Sequence, residues 1–159
     1  MAKESTQQYL RSIDVNKKLI SNIDNGIIIL NSDLKILYFN KWLEIHTSLK
    51  ESDILGQAIG DIFKNINIKT LERRIKTSIK MATPTFYTAN TSKYLIPIKI
   101  NQIKISDLEH MQQDVSIIQF DIENGLVALI ISDQTNATNT NKLLEMNVKK
   151  VEELKRELI

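Results

Sequence analysis

The chain contains no cysteine, a single tryptophan and only two histidines. Without cysteine there is no disulfide, no thiolate nucleophile and no cysteine-ligated metal. Glycine is scarce, with four in 159 residues. None forms a phosphate-cradling loop. Neither charge sign dominates: the net charge is +2, and the 25% of charged residues are mixed along the chain. No basic stripe with interleaved aromatics is evident, so a nucleic-acid surface is not expected. No apolar run approaches the ~20 residues of a membrane span. The opening MAKESTQQYL has no apolar signal core. The expectation is a cytoplasmic chain without membrane contact of its own. No nucleophile–base pair or metal-ligand cluster is visible, so the chain is not expected to be an enzyme.

Apolar residues make up 42% of the sequence, enough for the core of one ordinary domain. Ser5-Thr6-Gln7-Gln8 resembles a capping box, and Tyr9, Leu10, Ile13 and Ile20 recur at helical spacing. An amphipathic helix is expected from about Thr6 to Ser21, stopped by Asp24-Asn25-Gly26. Ile27–Leu30 and Lys35–Phe39 read as two strands around the turn Asn31-Ser32-Asp33. Both parities of the second strand are apolar. Strict alternation puts Ile36 and Tyr38 on the core or cavity face, and Leu37 and Phe39 toward a helix or second subunit. Asn40 suits the cap of a short helix containing Trp42 and His46. Ser52–Gly56 and Ile59–Phe63 read as helical turns. Ile68, Leu71, Ile75, Ile79 and Ala82 keep steps of three and four, a helix ended by Thr83-Pro84.

Beyond it, Thr85–Ala89 and Tyr94–Ile100 are candidate strands, with Pro97 at an edge or bulge. Residues 101–110 read as a loop. Gln113–Ile122 and Leu126–Ser132 form a hairpin around Glu123-Asn124-Gly125. In the tail, Leu144, Val148, Val151 and Leu158 take heptad spacing, with Lys155 in the remaining slot. Glu145/Lys149 and Glu152/Arg156 are spaced for i,i+4 pairs. The pattern runs uncapped to Ile159, as a longer helix cut short would.

The order of these elements resembles the PAS sensory domain. The residues that carry the likeness are Asn25-Gly26, Ile36-x-Tyr38-x-Asn40, Ile54-Leu55-Gly56 and the Asp133-x-Thr135 hand-over. A narrower likeness links Asn40-x-Trp42, His46-Thr47, Tyr94–Ile98 and Met111-Gln112-Gln113 to PAS modules ahead of bacterial diguanylate cyclases or phosphodiesterases. The cyclase Gly-Gly-Asp/Glu-Glu-Phe motif is absent, so an output enzyme of that kind would lie beyond Ile159.

The resemblance implies an α+β fold: a five-stranded antiparallel sheet with flanking helices and a cavity between them. An N-terminal amphipathic helix precedes it and a coiled-coil-like signalling helix follows. The implied divisions are residues 1–22, 23–135 and 136–159. The implied role is to bind a small molecule and relay its state, as a homodimer, to an effector domain. The alternatives are a ligand-free dimerisation module and a haem or flavin sensor. Light-sensing flavin chemistry needs the missing cysteine.

Candidate cavity residues are Tyr38, Asn40, Trp42, His46, Arg74, Ser78, Tyr87, Tyr94 and Gln119. Each has a plainer reading: Asn40 as a cap, Trp42 as core filler, His46 as an exposed helix histidine, and Arg74 as a solvated flank. An inward Arg74 would suit a carboxylate ligand. His110 reads as a loop residue. Dimer contacts and signalling are assigned to Tyr9, Ile13, Ile20, Leu37, Phe39, Asp133, Thr135, Leu144, Val148 and Val151.

Overall fold

The computed structural model describes residues 18–20, 22–100 and 108–158. Five strands form one antiparallel sheet: β1 (Gly26–Leu30), β2 (Ile36–Phe39), β3 (Thr85–Tyr87), β4 (Gln113–Asp121) and β5 (Leu126–Asp133). Their spatial order is β2-β1-β5-β4-β3. Between β2 and β3 run α1 (Lys41–Thr47), α2 (Glu51–Ile54), α3 (Ile59–Ile62) and α4 (Ile68–Met81). A short α5 (Ala89–Ser92) follows β3, and α6 (Thr135–Glu157) follows β5. The expected first helix lies largely outside the described residues, and Tyr9 and Ile13 with it; Lys18–Ile20 are helical.

The inner face of the sheet is a grid of aliphatic side chains. Ile28, Leu129 and Ile117 sit side by side across β1, β5 and β4, with Ile131, Val115 and Tyr87 in the adjacent row. All six are buried. From the helices, Trp42, Leu43, Ile54, Ile59, Leu71 and Ile75 close the same core. The outer face is also apolar: Ile27, Ile29, Tyr38, Ile118 and Ile130 are half-buried, and Phe86 and Phe120 are exposed.

Strict alternation fails in β2. Its residues pair as Leu30 with Ile36, Ile29 with Tyr38 and Ile28 with Phe39, which leaves Leu37 as an extra residue. A bulge of this kind shifts every later side chain to the other face. Ile36 and Phe39 therefore both point into the core, Tyr38 lies on the outer face, and Leu37 is 43% exposed. The bulge forms because the free edge of β2 is in use. Ile36 donates its N–H to Gln57 O at 2.9 Å and accepts from Gly56 N at 2.7 Å. Glu51 Oε2 accepts from Phe39 N at 2.7 Å. The edge is thus covered by the chain around α2 and α3.

Two other expectations are corrected. Tyr94–Ile100 is not a strand. Among the described residues its sheet-like contact is the isolated bridge from Lys99 to His110. Pro97 lacks an N–H, and Ile98 turns back to donate to Ile96 O at 2.9 Å, so the segment enters the core as a loop. In α4 the buried face drifts from Leu71 and Ile75 to Ser78, leaving Ile79 exposed. The helix stops because Ala82 takes a left-handed conformation at φ 49°. The β4–β5 hairpin is as expected. Asp121 accepts from Asn124 N at 3.1 Å, and Gly125 supplies the positive φ of 65°.

Candidate functional site

Asn40 is a structural hub. Its Oδ1 accepts from Leu43 N at 3.3 Å, capping α1, and from Ile27 N at 3.1 Å; its Nδ2 donates to Asn25 O at 2.8 Å. Cap and first strand are therefore tied by one side chain. Trp42 is buried and donates Nε1–H to Asp24 Oδ1 at 3.1 Å. His46 is exposed on α1, its ring stacked on Trp42 at 4.0 Å between centroids. Its Nδ1 lies 2.8 Å from Trp42 O. That geometry matches the exposed helix histidine rather than an inward ligand. Tyr38 and Gln119 are separated from this group: Tyr38 is on the outer face, and Gln119 shares the inner face near the hairpin end, opposite Val127. Burial, helped by the nearby Glu51 charge, raises the Tyr38 pKa.

Arg74 and Tyr87 do come together. Arg74 Cζ sits 4.4 Å from the centroid of the Tyr87 ring, and its Nη1 donates to Phe86 O. Tyr87 is 5% exposed. Burial pushes its hydroxyl pKa up, while the charges of Arg74 and Arg73 act the other way. Arg74 Nε is buried without a hydrogen-bond partner, and the buried Tyr87 hydroxyl has the Arg74 guanidinium beside it, whose hydrogen bonding also draws its pKa down. One turn on, buried Ser78 donates to Thr83 O at 2.8 Å and lies 3.4 Å from Ile117 O. It is satisfied within the fold.

Around the core loop, Tyr94 and His110 pack ring against ring at 5.0 Å, both half-buried. Gln113, which sequence reasoning did not single out as a site residue, is 0% exposed. Its Oε1 accepts from Leu95 N at 3.1 Å and Ile96 N at 3.2 Å, and its Nε2 donates to Ile96 O at 2.8 Å. The available signal was parity: Gln113 shares the inward face of Val115 and Ile117.

At the end of β5, Asp133 Oδ1 accepts from Thr135 N at 2.9 Å and from Thr135 Oγ1 at 2.6 Å. The same hydroxyl accepts from Gln112 N at 3.1 Å, and Gln112 O accepts from Gln134 N at 2.7 Å. The start of α6 is thereby fastened to the start of β4. Beyond it, none of the described α6 residues is buried; Leu143, Leu144, Met146, Val148, Val151, Leu154 and Leu158 are all exposed.

Basic side chains do gather on α4, without aromatics among them. Lys69, Arg73, Lys76 and Lys80 line an open groove of about 380 Å³ with Glu72 and Thr77, on the solvent side of the helix. Among the described residues no His, Asp and Glu group of three or more is placed to hold a metal, and no helix is long and apolar enough to cross a membrane.

The family model of the PAS fold matches residues 16–86, and the remaining strands complete that topology. This chain carries a PAS domain. Solved structures agree over more of the chain. A sensory box sensor histidine kinase from Vibrio cholerae is 20% identical, with a TM-score of 0.52, over 81% of this chain and 96% of that one. The PAS domain of an HTR-like protein from Haloarcula marismortui is 14% identical, with a TM-score of 0.58, over 82% and 98%. The PAS domain of the RpfR quorum-sensing receptor from Cronobacter turicensis, in complex with BDSF, is 17% identical, with a TM-score of 0.51, over 73% and 99%. No curated protein matches the chain. The PAS domain here thus shares its fold with modules of signalling proteins.

Proposed function

We propose that this PAS domain is the sensory module of a cytoplasmic signalling protein. Residues 23–135 bind a small molecule between sheet and helices. Residues 1–22 contribute dimer contacts, and residues 136–159 relay the bound state through a dimeric helix to an effector domain outside this chain. A diguanylate cyclase or phosphodiesterase is the proposed effector, on the sequence likeness alone.

The observation that carries the reading is the fastening of α6. Its first residue is held by Asp133 and Gln112, so any movement of β4 or β5 reaches the helix base. Its apolar side chains are not buried by any of the described residues. A helix exposing Leu144, Val148 and Val151 at heptad spacing is suited to pair with its copy, and two heptads need the rest of the protein for stability. A ligand acts through such a dimer only if it binds two helix arrangements with different affinity. A second reading, a ligand-free dimerisation module, draws on the density of the core, where Ile28, Ile36, Leu43, Ile59, Leu71 and Ile96 are fully buried.

Intact-complex mass spectrometry of the purified chain tests both halves at once. The expected species is a dimer carrying a small molecule. A dimer of bare chains that no compound stabilises favours the second reading, and a monomer at all concentrations refutes the relay. Deleting residues 1–20 should give monomer or aggregate; an unchanged dimer removes the N-terminal segment from the interface.

A further inference from the structure

Helix α4 has two unlike faces. Leu71, Ile75 and Ser78 are buried in the domain. On the opposite side Lys69, Arg73, Lys76 and Lys80 follow one another at steps of four, three and four, all exposed. They form one straight row of about 16 Å along the helix. With Arg74 the helix holds five cations against the single carboxylate of Glu72, a net charge of +4. The whole chain carries +2, so everything outside α4 sums to −2. The positive excess of the chain therefore resides on one helix.

Nothing in the fold uses this row. Among the described residues none of its four cations makes an ion pair or a side-chain hydrogen bond. Glu72 is spaced to meet Lys69 or Lys76 and pairs with neither. Lys69/Arg73 and Lys76/Lys80 are like-charged neighbours at i,i+4, which weakens a helix. An anion on this face would remove that repulsion.

The shape of the face narrows the choice of anion. The four cations, with Glu72 and Thr77, line an open trough of about 380 Å³. Counted from Lys69, these are positions i, i+3, i+4, i+7, i+8 and i+11. A helix presents that set to a second helix. It makes two successive four-residue holes, Lys69-Glu72-Arg73-Lys76 and Arg73-Lys76-Thr77-Lys80. An anionic bilayer is flat, would meet Glu72 with like charge, and finds no apolar side chain in the row to insert. Single-stranded nucleic acid is held by stacking aromatics, and the trough has none. A second copy of α6 is no better match, since its five cations outnumber its four carboxylates.

We infer that the solvent face of α4 docks an acidic helix of another protein. Carboxylates three or four residues apart on that helix seat in the two holes. The second hole, which lacks Glu72, holds its carboxylate more tightly. Docking here needs neither a bound ligand nor a paired α6.

The test uses the full chain and alanine-based helical peptides of about 20 residues. In one peptide glutamates recur at alternating steps of three and four along a single face; in the other the same glutamates are spread around the helix. Binding is read by titration calorimetry and by movement of the backbone amide resonances of residues 69–80. The striped peptide should bind saturably, about tenfold or more tighter than the spread one, and weaken as salt is raised. Arg73→Glu with Lys80→Glu turns both like-charge pairs into opposite ones, so the domain should keep its melt while affinity falls about tenfold or more. Arg73→Gln with Lys80→Gln removes the charges alone and should weaken binding about fivefold, whether or not the reversed variant folds. Phosphatidylglycerol vesicles and a DNA duplex are the rival partners. The inference is overturned if the striped peptide does not bind, if the spread peptide binds as well, if the glutamine variant binds like the wild type, or if vesicles or duplex bind more tightly than the striped peptide.

Discussion

Thr135→Val is the sharpest perturbation of the helix fastening. The two side chains have nearly the same shape, so only the hydroxyl is lost. That hydroxyl accepts from Gln112 N at 3.1 Å and donates to Asp133 at 2.6 Å. Gln112 is buried, so its N–H is left without a partner, at a cost of about 1–3 kcal/mol. The bond to Asp133 adds little, because that carboxylate is exposed and water replaces the hydroxyl. The Thr135 N–H bond to Asp133 survives the substitution. The expected loss is therefore about 1–3 kcal/mol, concentrated at the base of α6. Chemical denaturation measures the total, and amide hydrogen exchange locates it. Gln112 and the first turn of α6 should lose about tenfold or more of their protection. Thr135→Ser keeps the hydroxyl and should stay within about 0.5 kcal/mol of the wild type. Equal protection of Gln112 in the Val and Ser variants would refute the reasoning.

Four further expectations concern the scaffold. Gln113→Leu removes three hydrogen bonds to the Leu95–Ile96 backbone and should cost about 2–4 kcal/mol by denaturation, with early exchange of both amides; a loss under about 1 kcal/mol would show the loop is held otherwise. Gln113→Glu should be destabilised by a charge facing Ile96 O. Its carboxyl pKa would rise on folding, so stability should be best at low pH and fall as pH rises through that raised value. Gly26→Ala places a Cβ 2.9 Å from Leu43 Cγ and Cδ2 and 3.1 Å from Trp42 Cε3, an overpacking of about 1–3 kcal/mol in thermal melts; a neutral melt would mean that α1 yields. Alkaline titration followed by tyrosinate absorbance should show Tyr87 ionising above the ordinary value near 10, as a late phase missing from Tyr87→Phe. A raised pKa means stability held below the unfolded value and lost as pH climbs through the folded one.

What could be read from the sequence was what local chemistry decides. Asn40 caps α1 because its side chain reaches an N–H three residues on, and Asn124-Gly125 turns the hairpin because glycine accepts a positive φ. Leu71 and Ile75 face inward because a helix repeats at 3.6 residues. The failures arose where distant backbone competes. All four residues of β2 are apolar, so alternation offered no anchor, and pairing of Ile36 with the 56–57 backbone set the bulge. Tyr94–Ile100 has strand composition, yet its Leu95 and Ile96 amides are met by one glutamine side chain from β4. Arg74 and Tyr87 were each legible as polar residues beside the core. Their stacking was not, because it depends on β3 opposing β4 so that Tyr87 faces Val115 on the inner side.

The Arg74–Tyr87 contact and the helix fastening hang from one short piece of β4. Tyr87 sits opposite Val115, Gln113 sits opposite Asp133, and Gln112 holds Thr135. Gln113 lies between them, immobilised on the Leu95–Ile96 loop. A ligand that reseats Tyr87 must move this piece as a unit or not at all, since packed cores shift between discrete arrangements. Lying between two sites does not by itself couple them. A double-mutant cycle of Tyr87→Phe with Thr135→Val measures the coupling directly. If this piece moves as a unit, the two losses should depart from additivity by about 0.5–2 kcal/mol. Additivity within about 0.5 kcal/mol would exclude β4 as the route.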